Sequence, residues 1–197
     1  MLPRMRRLQV APFHLHRRTL EKIEQVGLAA QRGEGGRIVA KMNALTDEAI
    51  AHALVLAGQR GARIDLIVRG ACILPAQVPG MTDNIRVRSI IGRFLEHSRV
   101  FYFRCGAEED LYLSSADWMN RNMLRRVELA WPVTDSALRH RIMDECLSAC
   151  LHDTKDAWLL QPDGRYVPAA VLAGAKGRSA VPQSAQASLM ARYGSKG

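Results

Sequence analysis

Apolar side chains recur at helical spacing between Arg17 and Gln31, at Leu20, Ile23, Val26 and Leu28, which predicts an amphipathic helix ending in a loop over Gly33 to Gly36. The period then changes. Arg37 to Lys41 (RIVAK) and Ile64 to Val68 (IDLIV) are short β-branched runs of the kind that fill buried strands. Between them, Thr46 is the expected N-cap, Asp47 and Glu48 place negative charge in a first helical turn, and Ile50, Leu54 and Ala57 carry a helix to about Arg60, where Gly61 stops it. Residues 37 to 69 therefore read as a strand, helix, strand unit with parallel strands, which is α/β architecture.

Downstream, Cys72 to Asn84 holds Pro75, Pro79 and Gly80 and is expected to be an irregular loop. Ile85 to Arg88 alternates at strand period with Arg86 and Arg88 on one face, and Ile90 to His97 is expected to make a helical turn. Val100 to Phe103 and Leu111 to Ser114 flank a polar turn as a hairpin, and Val127 to Trp131 is a further strand ended by Pro132. Ser136 is the expected N-cap of a helix to about Leu151, with Leu138, Ile142, Cys146 and Ala149 on its buried face. A terminal hairpin follows around Pro162-Asp163-Gly164, and from Ala169 the Ala, Gly, Ser and Lys content predicts a flexible tail that includes a short helix near Ala187 to Arg192. The organisation expected is a lead-in and helix over 1–36, a domain over 37–168 and a tail over 169–197.

With 197 residues, 48% of them hydrophobic, the chain can bury one substantial core. No window approaches the roughly 18 apolar residues of a membrane span, and the basic start Met1 to Arg7 leads into no signal-peptide core, so a soluble, cytoplasmic protein is expected. Cys72, Cys105, Cys146 and Cys150 form no Cys-x-x-Cys pair and signal neither a disulfide framework nor a zinc site. The formal net charge of +9 points to a polyanionic partner without choosing among nucleic acid, headgroup, nucleotide and polyphosphate. Position narrows the search, because from Arg60 to Arg104 every basic residue is an arginine and only Asp65, Asp83 and Glu96 oppose them.

Arg69-Gly70 follows the IDLIV strand directly, at the carboxyl edge where open α/β sheets bind ligands. His97 stands two residues before Arg99, a pairing suited to handling phosphate, since an imidazole can attack phosphorus, move a proton or bind an anion. Ser114-Ser115-Ala116-Asp117 could offer hydroxyls to a phosphoryl oxygen or to that imidazole, and equally could cap a helix. Arg125 and Arg126 precede a strand and must diverge, so at most one joins Arg69 and His97. No histidine pairing supports a transition-metal site.

The segments VAPF (Val10 to Phe13), AKMN (Ala40 to Asn43), IDLIVRG (Ile64 to Gly70), NIRVRSI (Asn84 to Ile90), GRFLEHSR (Gly92 to Arg99) and SSADWMNRN (Ser114 to Asn122) resemble, in order, motifs of the larger, phosphohistidine-using polyphosphate kinases. The resemblance runs from about Leu8 to Pro168. It implies a phospholipase D-like half, a mixed β-sheet flanked by helices, which is the second of two similar halves. It also implies reversible transfer of the terminal phosphate of ATP to inorganic polyphosphate, with Arg69 and His97 on the nucleotide phosphates, Arg126 lining the same pocket, the other arginines along a polyanion channel and Mg2+ arriving with ATP. The family's phosphorylated histidine lies on the other half, so this chain is expected to be inactive without that half or an oligomeric partner. Two alternatives stay open: a non-catalytic module that binds polyphosphate or nucleic acid, and a phospholipase D-like phosphodiesterase acting as a dimer. Arg99, where the phospholipase D pattern has Lys, weighs against the latter.

Overall fold

The computed structural model describes residues 8–175 and 181–194; the basic stretch Met1 to Arg7 and parts of the expected tail lie outside the described residues. The strands are β1 (Gln9–Ala11), β2 (Gly36–Met42), β3 (Arg63–Val68), β4 (Ile85–Ile90), β5 (Arg99–Cys105), β6 (Glu108–Ser114), β7 (Glu128–Pro132), β8 (Ala157–Leu160) and β9 (Tyr166–Pro168). They form one mixed sheet in the order β1-β7-β6-β5-β2-β3-β4-β8-β9, parallel between β2, β3 and β4 and antiparallel elsewhere.

Both faces of the sheet are covered, and the strand period explains how. In β2, Ile38, Ala40 and Met42 pack with Ile64, Leu66 and Val68 of β3 beneath α1 (Leu15–Gln31) and α2 (Glu48–Gln59), where Ile23, Val26, Leu54 and Ala57 complete a core. The intervening Val39, with Ile67, Val100 and Tyr102, builds a second core against Leu147, Cys150 and Ala185. The strand, helix, strand unit with parallel β2 and β3 is as the sequence predicts. Gly61 ends α2 at φ 97°, with Gly61 N–H donating to Gly58 O at 2.9 Å and Ala62 N–H to Ala57 O at 3.0 Å, a Schellman closure.

Four local expectations are corrected. The cap of α2 is Asp47, whose side chain accepts from Ile50 N–H at 2.9 Å, because the Thr46 and Asp47 amides both donate to Trp118 O and hold Thr46 outside the helix. Residues 91–98 form no helical turn: β4 runs on to Ile90, which pairs with Ala157, and Ile91 N–H donates to Asp156 O. The helix after β7 is capped by Asp135 and runs as α4 (Ser136–Ile142), a π-helical turn (Met143–Ser148) and α5 (Ala149–His152). The wider turn rotates the buried face, so Leu147 and Cys150 enter the core while Leu138 stays half exposed. Beyond β9, α6 (Ala169–Ala175) and α7 (Ala185–Gly194) are helical, and α7 begins against the core with Ala185 and Gln186 buried. The four cysteines are free thiols, raised above their ordinary pKa by burial. No helix among the described residues is long and apolar enough to cross a membrane.

Candidate functional site

The carboxyl ends of β2 and β3 open onto a cleft of about 500 Å³ whose wall includes Asn43, Arg69, His97, Arg99, Asp117 and Arg126. Its floor is a hydrogen-bonded frame. Asp117 Oδ1 accepts from the Asn43 backbone N–H at 2.7 Å and side-chain amide at 3.3 Å, while Arg99 donates to both carboxylate oxygens, at 3.1 and 3.0 Å. Asn43 Oδ1 in turn accepts from Arg69 Nε at 3.0 Å. Arg69 and Arg99 are thus oriented through a single carboxylate, and the pair Arg99–Asp117 is largely withdrawn from solvent, with side-chain exposures of 12% and 10%.

Backbone ties set the same frame. Arg69 N–H donates to Met42 O and Gly70 N–H to Asn43 O, and Ser89 Oγ donates to Arg69 O at 2.8 Å. With Nε engaged, the terminal nitrogens of Arg69 have no partner among the described residues, and the side chains of Arg121 and Arg126 on the facing wall have none either. The cleft therefore carries an excess of guanidinium groups, Arg69, Arg99, Arg121 and Arg126 against Asp117 and Glu128, suited to a multiply charged oxyanion.

His97 is exposed at the rim. Arg99 approaches its Nδ1 at 3.1 Å and also donates to its backbone carbonyl at 3.1 Å. Arg99 Nη2 also lies 3.5 Å from Nε2, so the guanidinium sits close to both ring nitrogens.

The residues singled out in the sequence come together unevenly. Arg69, His97 and Arg126 share the cleft, and Arg125 is absent from its wall. Ser114 lies off the cleft, its Oγ donating to Leu129 O at 2.9 Å, whereas Ser115 is on the cleft wall, where its Oγ donates to Glu128 and accepts from Leu129 N–H. Arg88 does not line the cleft but caps α5, donating to the carbonyls of Cys150 and Leu151, and Arg37 pairs with the buried Asp65. An anion path made of all the remaining arginines is therefore not what the fold builds. Sequence reading missed Asn43 and the orienting role of Asp117; the one available signal was their position inside the AKMN and SSAD segments.

The carboxylates at the cleft are engaged, Asp117 as described and Glu128 with Ser115 and with Asn122 at 2.7 Å. Among the described residues no group of three or more His, Cys, Asp or Glu side chains could hold a metal ion.

Residues 8–180 match the family model described as polyphosphate kinase C-terminal domain 2. The polyphosphate kinase of Burkholderia cenocepacia strain HI2424 is 53% identical over 156 residues, which cover 79% of this chain and 23% of that protein. The polyphosphate kinase of Paraburkholderia phytofirmans is 50% identical over 163 residues, 83% of this chain and 24% of the relative. The crystal structure of polyphosphate kinase from Porphyromonas gingivalis superposes with a TM-score of 0.85 at 34% identity, covering 96% of this chain and 28% of that one. The chain spans about a quarter of the length of the relatives it matches.

Proposed function

The chain belongs to the polyphosphate kinase family by way of its C-terminal domain, and from that premise we propose that its cleft is the phosphate-binding wall of an ATP:polyphosphate phosphotransferase site. The observation that carries the reading is that the free terminal nitrogens of Arg69 and the guanidinium of Arg126 line one opening beside His97. In the reaction the bond from the terminal phosphorus of ATP to its bridging oxygen breaks, and the phosphoryl group passes through a phosphohistidine to the terminal oxygen of polyphosphate, reversibly. This chain supplies electrostatics. Arg69, its Nε anchored by Asn43, turns its two terminal nitrogens to the phosphate oxygens, and Arg126 adds positive potential where charge spreads in the loose transition state.

His97 binds rather than attacks. Arg99 lies against its ring, Nη1 3.1 Å from Nδ1, and an imidazole N–H among these cations can donate to a phosphate oxygen. The phosphorylated histidine comes from outside this chain, from the other half of the family's site, and Mg2+ enters as part of the nucleotide substrate. That division of roles makes ATP binding without turnover the expected behaviour.

The test is transfer of labelled terminal phosphate from ATP to acid-insoluble polyphosphate by the purified chain, with His97→Ala and Arg69→Ala alongside. No transfer is expected from the chain alone. Transfer by the parent that His97→Ala abolishes would make His97 the nucleophile and overturn this assignment.

A further inference from the structure

His97 sits on a segment with little packing of its own: Ile91, Phe94 and Leu95 are 62%, 51% and 71% exposed. What fixes this loop is a side chain ninety-odd residues away. Gln186, in the first turn of α7, accepts from Phe94 N–H at 2.9 Å and donates from Nε2 to Phe94 O at 2.8 Å, pairing with the Phe94 backbone as a neighbouring strand would. The same amide nitrogen donates to Glu96 Oε1 at 2.9 Å, and the other oxygen of Glu96 accepts from the buried Lys41 at 2.7 Å. Gln186 is 5% exposed, although glutamine on a peripheral helix ordinarily faces water.

The clamp is itself anchored. Ala185 N–H donates to Asp153 Oδ2 at 2.7 Å, Ser184 Oγ to Asp156 Oδ2 at 2.5 Å, and the Thr154 and Lys155 amides to Gln183 O. Gly92 fits the contact from the other side, since a Cβ there would lie 2.5 Å from Gln186 Oε1 and 2.8 Å from its Cδ. Phe94 and Glu96 are held three residues and one residue before His97, while Arg99 holds the ring from the following strand. Gln186 also lies beyond the residues that match the family model, which end at 180.

We propose that Gln186 is a positioning residue for His97: α7 clamps the loop 91–98 through Phe94 and Glu96 and so holds the imidazole over the anion cleft. The consequence for phosphate rests on the reading of His97 given above, but the clamp can be read without any ligand. In the full chain, Gln186→Ala should accelerate amide hydrogen exchange at Phe94 roughly thirtyfold or more, the net worth of two or three lost hydrogen bonds, and should shift and broaden the His97 imidazole signals. Affinity for sodium tripolyphosphate, measured by calorimetry, should fall severalfold, and Gln186→Ala should add nothing in a His97→Ala background. Gly92→Ala, which displaces the same amide, should reproduce the loss and likewise be silent once Gln186 is alanine. Arg192→Ala, which removes the pairs of α7 with Asp144 and Glu145 and touches neither Gln186 nor the loop, should change none of these.

Unchanged exchange and imidazole signals in Gln186→Ala would overturn the inference. So would a Gln186→Ala loss of affinity that adds in full to that of His97→Ala, because a general loss of structure behaves that way. A freed loop combined with a His97→Ala variant of undiminished affinity would leave the clamp standing and remove His97 from the phosphate site instead.

Discussion

Asp117 accepts from the Asn43 backbone and side-chain amides and from two nitrogens of Arg99, and through Asn43 it reaches Arg69. Asn at this position keeps the shape but removes the charge and turns a donor toward donors. Asp117→Asn should cost about 2–4 kcal/mol in urea unfolding and weaken tripolyphosphate binding although no ligand contact is removed; a variant as stable and as tight as the parent would refute the frame. Glu96 offers a titration. Burial pushes its pKa up, but the hydrogen bond and charge of Lys41, helped by Gln186, outweigh this and hold it below its ordinary 4.5. A depressed carboxylate stabilises the fold fully above that ordinary value and loses the contribution as pH falls through the lower folded value. Protection of the Phe94 amide should therefore decline below about pH 4.5, and Glu96→Gln should flatten that profile while lowering protection at neutral pH. At this scale the sequence showed Arg69, His97 and Arg126, which stand at strand ends or next to other cations. Asn43 stayed hidden, because an orienting amide is defined by partners 26 and 74 residues away and leaves no local pattern.

At the scale of elements, Asp153 decides how α7 meets the body of the protein. Its carboxylate is 1% exposed, and Oδ1 accepts from the amides of Lys155, Asp156 and Ala157 while Oδ2 accepts from Ala185. Asp153→Ala would strand these donors and should cost about 3 kcal/mol or more by chemical denaturation, with α7 the first element to lose exchange protection. A cost within experimental error would mean that α7 is held by something else. The elements legible in advance were those whose own period identifies them: β2, α2, β3 and the β5–β6 hairpin all lie where the apolar pattern puts them. The misread ones depend on distant partners. Residues 91–98 look helical by composition but follow an irregular path held by Asp156 and Gln186, and the helix expected in the tail is α7, whose anchoring appears only once Asp153 and the Phe94 backbone are brought to it. The π-helical turn that buries Leu147 in place of Leu138 is a packing response with no sequence signature of its own.

For the molecule as a whole, one sheet covered on both faces puts Arg69 and Asn43 at the carboxyl edge of parallel strands, and the antiparallel β5–β6 pair brings Arg99 and Asp117 to the same place. Family and architecture were legible here because motifs recur in order from Val10 to Asn122 and the resemblance runs to about Pro168. The detailed lining was not, since several arginines that raise the net charge to +9 serve the interior, as Arg37 and Arg88 do. Binding of a polyanion at the remaining cations should weaken as salt rises, with the slope of log affinity against log salt reduced in Arg126→Ala. The account stands most directly on Arg69, and the measurement that tests it is the calorimetric affinity of the purified chain for MgATP beside that of Arg69→Ala. Loss of about 2 kcal/mol, or roughly thirtyfold in affinity, is expected for a charge-assisted contact to phosphate. Equal affinity in the two proteins, with both folded, would contradict the placement of the nucleotide phosphates at this cleft.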